Sequence, residues 1–424
     1  MTDSTNTTVG GDTDGGITSS YAMNDGVVLK VPYSFFGSIY DEAEREAAWA
    51  AMRQDTLTMG PQVAMFQKEF AAMCGVKHAF AVSNCTTGMH VVTQALGISD
   101  GDEVIVTPNT FVATSLVILK ERAIPVYADI DPHTFNILPA EIEKKITPKT
   151  KAIYVVHFGG QMCDMDPIME IAKKHNLPVL EDCAHTPGAE YKGRRAGSIG
   201  DFGIFSFHSL KNMTTCGEGG MITTNRDDLI DAVEKLRCMN VESFKDQVDY
   251  WIPGHHDVDD VNGKWGNNYR MNEISAAVGR QQLKKLSMLN EKRREIGHRI
   301  NAGISGIEGV EPTFEDPNCY HIFHLYSVCI DEEKLGASRD DFLRVLYREE
   351  GVQGILHYAP TYTFTGLQKT GRYPKRGLCP NAEKHFYERI INLPIHPRLT
   401  EQEILDTISG IKNAAEKVRG KNKK

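Results

Sequence analysis

The residues best placed to do chemistry sit just beyond short apolar runs. Asp182 follows Pro178-Val179-Leu180-Glu181 directly, and Lys211 closes the segment Ser206-Phe207-His208-Ser209-Leu210-Lys211. Ser83-Asn84-Cys85-Thr86-Thr87 ends one apolar run and opens a helical stretch. Free backbone N–H groups and the helix dipole there would hold a phosphate. Phe111 opens the helical stretch after Thr107-Pro108-Asn109-Thr110. A lysine, an acid, a phosphate cradle and an aromatic plate are what pyridoxal phosphate requires. The lysine amine forms a Schiff base. A carboxylate beside the ring nitrogen keeps it protonated, and the protonated ring takes up the electrons of a breaking Cα–H bond. An aromatic face fixes the plane of the ring. Singly, each has a bland reading, a solvated lysine or an N-capping aspartate; together and in this order they are specific.

These residues need a scaffold, and the chain alternates in a way that supplies one. Short apolar runs at Ala79–Val82, Val104–Val106, Ile124–Tyr127, Ala152–Val156 and Pro178–Leu180 are separated by helical patterns. Those patterns are Met89, Val92 and Leu96, then Phe111 to Leu119, then Met165, Ile168 and Ala172. This alternation predicts βαβ units and a mostly parallel sheet covered on both faces, an α/β fold. Ile204–Phe207 and Met221–Thr224 read as two more strands around a Gly-rich turn. In such sheets ligands bind at the carboxyl ends of the strands, where the residues above fall. A long helix is expected from Asn272 to about Ile304, bridging to a smaller α/β domain with a strand at Leu325–Ile330 and helices at Arg339–Glu349 and Glu401–Lys417. The domain reading is a disordered tail over 1–30, a large cofactor domain over 31–304 and a small domain over 305–424.

The stretch Glu181-Asp182-Cys183-Ala184-His185, then Ser206 to Lys211, then Gly217-Glu218-Gly219-Gly220, closely resembles the DegT/DnrJ/EryC1/StrS sugar aminotransferases. Thr58-Met59-Gly60-Pro61 with Phe66, Gly266 to Glu273, and Leu393-Pro394-Ile395-His396-Pro397 also look like that family, so the likeness runs from about Gly37 to Pro397. The resemblance implies the fold-type-I architecture of the aspartate aminotransferase superfamily. It implies roles too. Lys211 would carry the cofactor and shuttle the proton, and Asp182 would pair with the pyridinium nitrogen. His185 would lie near the ring oxygen, and Phe111 would stack on the ring. Thr86, the amides of 86 and 87 (Thr87), and Ser206 would hold the phosphate. Asn268 would reach the phosphate of a neighbouring subunit, making the active site a property of a homodimer. Cys85 stands where the family more often has Gly, which disfavours a left-handed backbone there.

The expected reaction moves an amino group from an amino acid, glutamate or glutamine, through the pyridoxamine form to a keto-sugar, nucleotide-linked or not, or to a keto-cyclitol. The alternatives are a sugar dehydratase using the same cofactor, disfavoured because Lys211 is intact where those enzymes resemble a His replacement, and a cofactor-binding regulator without turnover. Other residues read as bland. His255-His256 has no further ligands at zinc spacing, so no metal is expected. His208 is an even choice between the site and packing beside it. His324, His357 and His396 read as structural, Tyr191–Arg195 as a solvated turn, and Lys417–Lys424 as a solvated basic tail. Cys85, Cys183 and Cys216 read as small residues without a base. Composition narrows the class. Lys+Arg 47 against Asp+Glu 56 leaves a net charge of −9, which argues against a nucleic-acid surface. Nine Cys without a CxxC pair suggest reduced thiols and a cytoplasmic setting. No apolar run approaches the roughly 20 residues of a membrane span. There is no basic residue before Lys30 and no apolar leader segment.

Overall fold

The computed structural model describes residues 26–241 and 258–421. The tail through residue 25, the residues His255, His256 and Asp257, and positions 422–424 lie outside them. After α1 (Glu42–Met52) and α2 (Pro61–Cys74), strands β1 (His78–Val82), β2 (Glu103–Val106), β3 (Ile124–Tyr127), β4 (Thr150–Val156) and β5 (Val179–Asp182) alternate with α3 (Cys85–Ala95), α4 (Ala113–Lys120), α5 (Pro139–Lys145) and α6 (Met165–His175). A small hairpin, β6 (Glu190–Tyr191) and β7 (Arg194–Arg195), precedes β8 (Phe202–Ser206), β9 (Gly220–Thr224), α7 (Ile230–Arg237) and the 32-residue α8 (Glu273–Ile304). The C-terminal part adds β10 (Val310–Glu311), β11 (Cys319–Tyr320), β12 (Tyr326–Ile330), β13 (Ile390–Leu393) and a last helix, Glu401–Lys421.

The main sheet has the order β1-β9-β8-β5-β4-β2-β3, and β9 alone runs antiparallel to its neighbours. The predicted mostly parallel, doubly covered sheet is what forms. Its strands send alternate side chains to opposite faces. Val104, Val106, Tyr154, Leu180 and Ile204 join one core. Ile105, Ile153, Val155, Val179 and Phe205 join the other. Met165, Ile168 and Ala172, the helix face read from spacing, are the buried residues of α6. α8 starts where the sequence placed it, because the Asn272 side chain accepts the Ser275 N–H at 2.8 Å and caps the first turn. Leu286, midway along it, packs in the second of those cores. Ile296, Ile300 and Ile304 pack in a third, with Val310, Val328, Leu346 and also Val31 from near the N-terminus.

Some boundaries differ from the sequence reading. β8 begins at Phe202 and ends at Ser206, because pairing with Thr224 of β9 carries the strand across Gly203, which interrupts the apolar run. Asp182 is the last residue of β5 and not the one after it. α4 begins at Ala113, so Phe111 lies in the turn before the helix; the first four-residue helical bond runs from Leu116 N–H to Val112 O. The residues read as a basic tail are helical as far as Lys421, and Lys417 pairs with Glu350 at 2.6 Å, a partner no local pattern announces. Tyr191–Arg195 is the β6–β7 hairpin, with Lys192 and Arg194 both paired to Asp166.

Candidate active site

Parallel pairing of β5 with β8 sets Asp182 opposite Ile204, two residues before β8 ends at Ser206. Asp182 is buried. Thr114, on α4, donates to its Oδ2 at 3.0 Å, and the Ala184 N–H donates to Oδ1 at 3.1 Å. Burial pushes the Asp182 carboxyl above its ordinary value, against the pull of these donors and of the Lys211 charge. The neighbouring Glu181 side chain leaves the strand on the opposite face. There it is wholly buried and accepts from His157 Nε2 (2.9 Å) and from the amides of Gly197 (3.1 Å), Ile199 (2.8 Å) and Gly200 (2.6 Å). The Cys163 N–H donates to His157 Nδ1 at 3.1 Å, which puts the ring proton on Nε2. His157, Glu181 and Cys183 bring ligand atoms within 4.8 Å of one another. Both ring nitrogens and both carboxylate oxygens are already used, so the group works as an anchor for the end of β5.

Lys211 sits in the loop after β8. Its amide donates to His208 O at 2.9 Å, and the Gly37 N–H donates to Ser209 O at 2.8 Å. A Cβ on Gly37 would stand 2.3 Å from Leu210 O, so only glycine allows the N-terminal strap to lie this close under the lysine loop. Burial lowers the Lys211 ammonium, while Cys85, Asp182 and Glu218 pull it back up. The next residue, Asn212, is buried and donates to Asn290 Oδ1 on α8 (3.0 Å) and to Ile322 O (3.2 Å). Arg293 of α8 donates to Gly37 O (2.5 Å), Phe323 O (3.1 Å) and Ile395 O (2.8 Å), which ties the strap, the lysine loop's support and the C-terminal part together.

The phosphate turn is the start of α3. Asn84 and Thr87 form a reciprocal cap: the Thr87 N–H donates to Asn84 Oδ1 at 2.9 Å, and the Asn84 N–H donates to Thr87 Oγ1 at 3.2 Å. Thr87 is thus engaged within the turn. The Cys85 and Thr86 amides, at the first helical positions, have no backbone acceptor of their own within α3. Cys85 is helical and does not adopt positive φ. A Cβ on Gly220 would lie 2.5 Å from the Asn84 carbonyl carbon, so β9 can pass this turn only as glycine. Ser206, at the end of β8 and paired with Gly220, brings its hydroxyl to the same corner and accepts the His208 N–H at 3.4 Å.

The other expected residues are distributed around this floor. His185 is buried, and its Nδ1 accepts the Gly159 N–H at 3.3 Å, leaving the proton on Nε2, 3.4 Å from the Tyr358 hydroxyl. Burial first, then the Lys211 and His357 charges, hold His185 well below its ordinary value, so the ring is neutral. Its face meets His324 at 4.2 Å between centroids. Phe111 is 61% exposed, with its ring 6.3 Å from Tyr358, so a broad aromatic surface lies open beside the cleft. Asn268 is exposed, and its carboxamide oxygen accepts from Arg270 Nε at 2.9 Å. His208 stays beside the lysine turn, its Nδ1 accepting the Leu210 N–H at 3.2 Å. Thr114, Asn212, His324 and Tyr358 were not singled out by sequence as site residues. Nothing in their spacing marks them, because each is recruited by a partner distant in the chain.

A buried acid at the end of β5 and a half-buried lysine in the loop after the neighbouring β8, with free amides at a helix start beside them, form a donor set that fits pyridoxal phosphate. Residues 38–412 match the model of the DegT/DnrJ/EryC1/StrS aminotransferase family. The chain belongs to this family. It is a pyridoxal-phosphate-dependent sugar aminotransferase of fold type I. This aminotransferase is 36% identical over 369 residues to the GDP-perosamine synthase of Caulobacter vibrioides, a match covering 84% of this chain and 90% of that one. An aminotransferase from Psychrobacter cryohalolentis superposes with a TM-score of 0.84 at 33% identity, over 92% of this chain and 100% of its own. S. venezuelae DesV, solved in complex with a ketimine intermediate, gives 0.79 at 29% identity, over 88% and 94%. Among the described residues of this aminotransferase, no helix is long and apolar enough to cross a membrane.

Proposed function

We propose that this aminotransferase takes its amino group from glutamate or glutamine and delivers it to the keto carbon of a nucleotide-linked sugar or a keto-cyclitol, as a cytoplasmic homodimer with shared active sites. The observation that carries the reading is Lys211, intact and half-buried in the loop after β8 with its ammonium lowered, near enough to Asp182 at the end of β5 for the two charges to act on each other. When bound, pyridoxal phosphate supplies the carbon that receives the amine and a ring that accepts electron density. The chain's own residues do the rest. Lys211, brought closer to neutrality by burial, would hold the cofactor and would take up and return the donor's Cα proton. Asp182 keeps the ring nitrogen protonated, and Thr114 and Ala184 hold its two oxygens in place. The Thr86 amide and hydroxyl and Ser206 take the phosphate, with Thr87 completing the turn. Phe111 would cover the ring, and neutral His185 would offer Nε2–H to its oxygen.

Support for a nucleotide-linked substrate comes from the relative that makes GDP-perosamine. Support for the dimer comes from the surface around Asn268, where Leu57, Met59, Met239 and Trp265 are large, apolar and exposed on segments bonded to one another. A monomer seldom leaves such groups uncovered together. Support for the cytoplasm comes from thiols that are all unpaired.

To test it, the purified enzyme is given glutamate and a panel of nucleotide-linked ketosugars, and 2-oxoglutarate is followed. We expect stoichiometric 2-oxoglutarate and amino sugar with at least one of them, and a loss of about 1,000-fold or more in Lys211→Ala. Multiple turnovers retained by Lys211→Ala would overturn the assignment.

A further inference from the structure

A second group of ionisable side chains lies buried away from Lys211. His90, on the helix whose start forms the phosphate turn, places Nε2 2.8 Å from Glu121 Oε1 at the end of α4. Lys264 Nζ is 2.6 Å from the other oxygen, and His90 Nδ1 is 3.0 Å from the Tyr269 hydroxyl. The side chains of His90, Glu121 and Lys264 are 8%, 8% and 15% exposed. Charges this deep are tolerated only when paired. Burial alone would raise the Glu121 carboxyl, but the hydrogen bonds from His90 and Lys264 and their charges outweigh it and hold it at about 2. In the neutral imidazole the proton then sits on Nε2, facing the carboxylate, and Nδ1 accepts from Tyr269.

What this cluster grips is the segment 264–272. Lys264 and Tyr269 flank Asn268 on either side. The Tyr269 carbonyl accepts the Ser83 N–H at 2.8 Å, and its own N–H donates to Arg237 O at 3.0 Å. Arg270 occupies the Asn268 oxygen, so the carboxamide NH2 is the end left for an outside acceptor. The segment is therefore fastened to the helix that carries this chain's own phosphate turn, while presenting a donor to something else.

We propose that His90, Glu121, Lys264 and Tyr269 are positioning residues that hold Asn268 ready to donate to the cofactor phosphate of a second copy of this chain. The inference rests on the shared-site reading above. An exposed amide on a loose loop would lose chain freedom when it met the phosphate, whereas one pinned by a buried ionic cluster has already done so.

The experiment measures the Kd of pyridoxal phosphate for the cofactor-stripped full chain by fluorescence quenching, with the dimer checked by sedimentation. Asn268→Ala is the reference, and should weaken binding about 10-fold, the cost of one hydrogen bond to a charged group. Tyr269→Phe keeps the ring against His90 and removes only the hydroxyl, and Glu121→Gln removes the charge. Each should weaken binding about 3- to 10-fold in a protein that still sediments as a dimer. The double variant Asn268→Ala/Tyr269→Phe should be no weaker than Asn268→Ala alone, because the tyrosine acts through the asparagine. A weakened Asn268→Ala beside an unchanged Tyr269→Phe, or losses that add in the double variant, would overturn the inference alone. An unchanged Asn268→Ala would overturn the shared-site reading and the inference with it. If Glu121→Gln fails to fold, Tyr269→Phe and the double variant still decide.

Discussion

The carboxamide oxygen of Asn212 lies 3.0 Å from Nδ1 of His324. Through that contact the residue after the cofactor lysine is joined to the ring that faces His185 at 4.2 Å. With its NH2 on Asn290 and Ile322 O, Asn212 is a fully buried junction between the lysine loop, α8 and the stretch leading into β12. Asn212→Ala removes the partner of each of these groups. Since an orphaned buried polar group costs about 1–3 kcal/mol, we expect a loss near 3 kcal/mol in urea unfolding, accompanied by lower activity. A loss below about 1 kcal/mol would mean that water replaces the carboxamide.

Asp182 trades stability for function. Burial, the largest influence, holds its carboxyl above the ordinary value in the cofactor-free fold. The folded group keeps its proton at pH values where the unfolded one has lost it, so folding is favoured at low pH and loses stability as pH rises through the folded value. Asp182→Asn removes that penalty. The cofactor-free variant should melt higher than the parent at pH 8, the gap closing toward pH 4, while activity falls about 100-fold or more. Melting temperature against pH checks this; a variant less stable than its parent at pH 8 would refute it.

Glu273 is the first residue of α8, yet it caps another helix. Its carboxylate accepts the amides of Gly60 (2.9 Å), Gln62 (2.7 Å) and Val63 (3.0 Å) at the start of α2. Gly60, the N-cap residue, has no side chain to do this. Glu273→Ala should cost about 2 kcal/mol or more, since a cap alone is worth about 1 and it would leave three amides, the Val63 one buried, without their acceptor. Chemical denaturation measures it, and Glu273→Gln, which keeps one acceptor, should recover part of the loss.

How much of this could be read from the chain depends on the range of each interaction. Asp182 and Lys211 were visible because an apolar run ending in a polar residue is a local pattern, and the strand end dictates where the residue lies. α8 was visible from its cap at Asn272 and its apolar spacing. The partners of those residues were not. Asn212 meets His324 across 112 positions and Glu121 meets Lys264 across 143. No period or local motif links polar residues so far apart; only the sheet order and helix packing bring them together. Phe111 shows the middle case: its place beside the cleft follows from β2, but its position outside α4 depends on where helical bonding begins, which spacing cannot fix to a residue.

The central claim is that Lys211 is the amine that holds the cofactor. The direct measurement is borohydride reduction of the enzyme with pyridoxal phosphate bound, followed by proteolysis and mass mapping. One pyridoxyl group on Lys211 is the predicted result. A label on another lysine, or none, would contradict it.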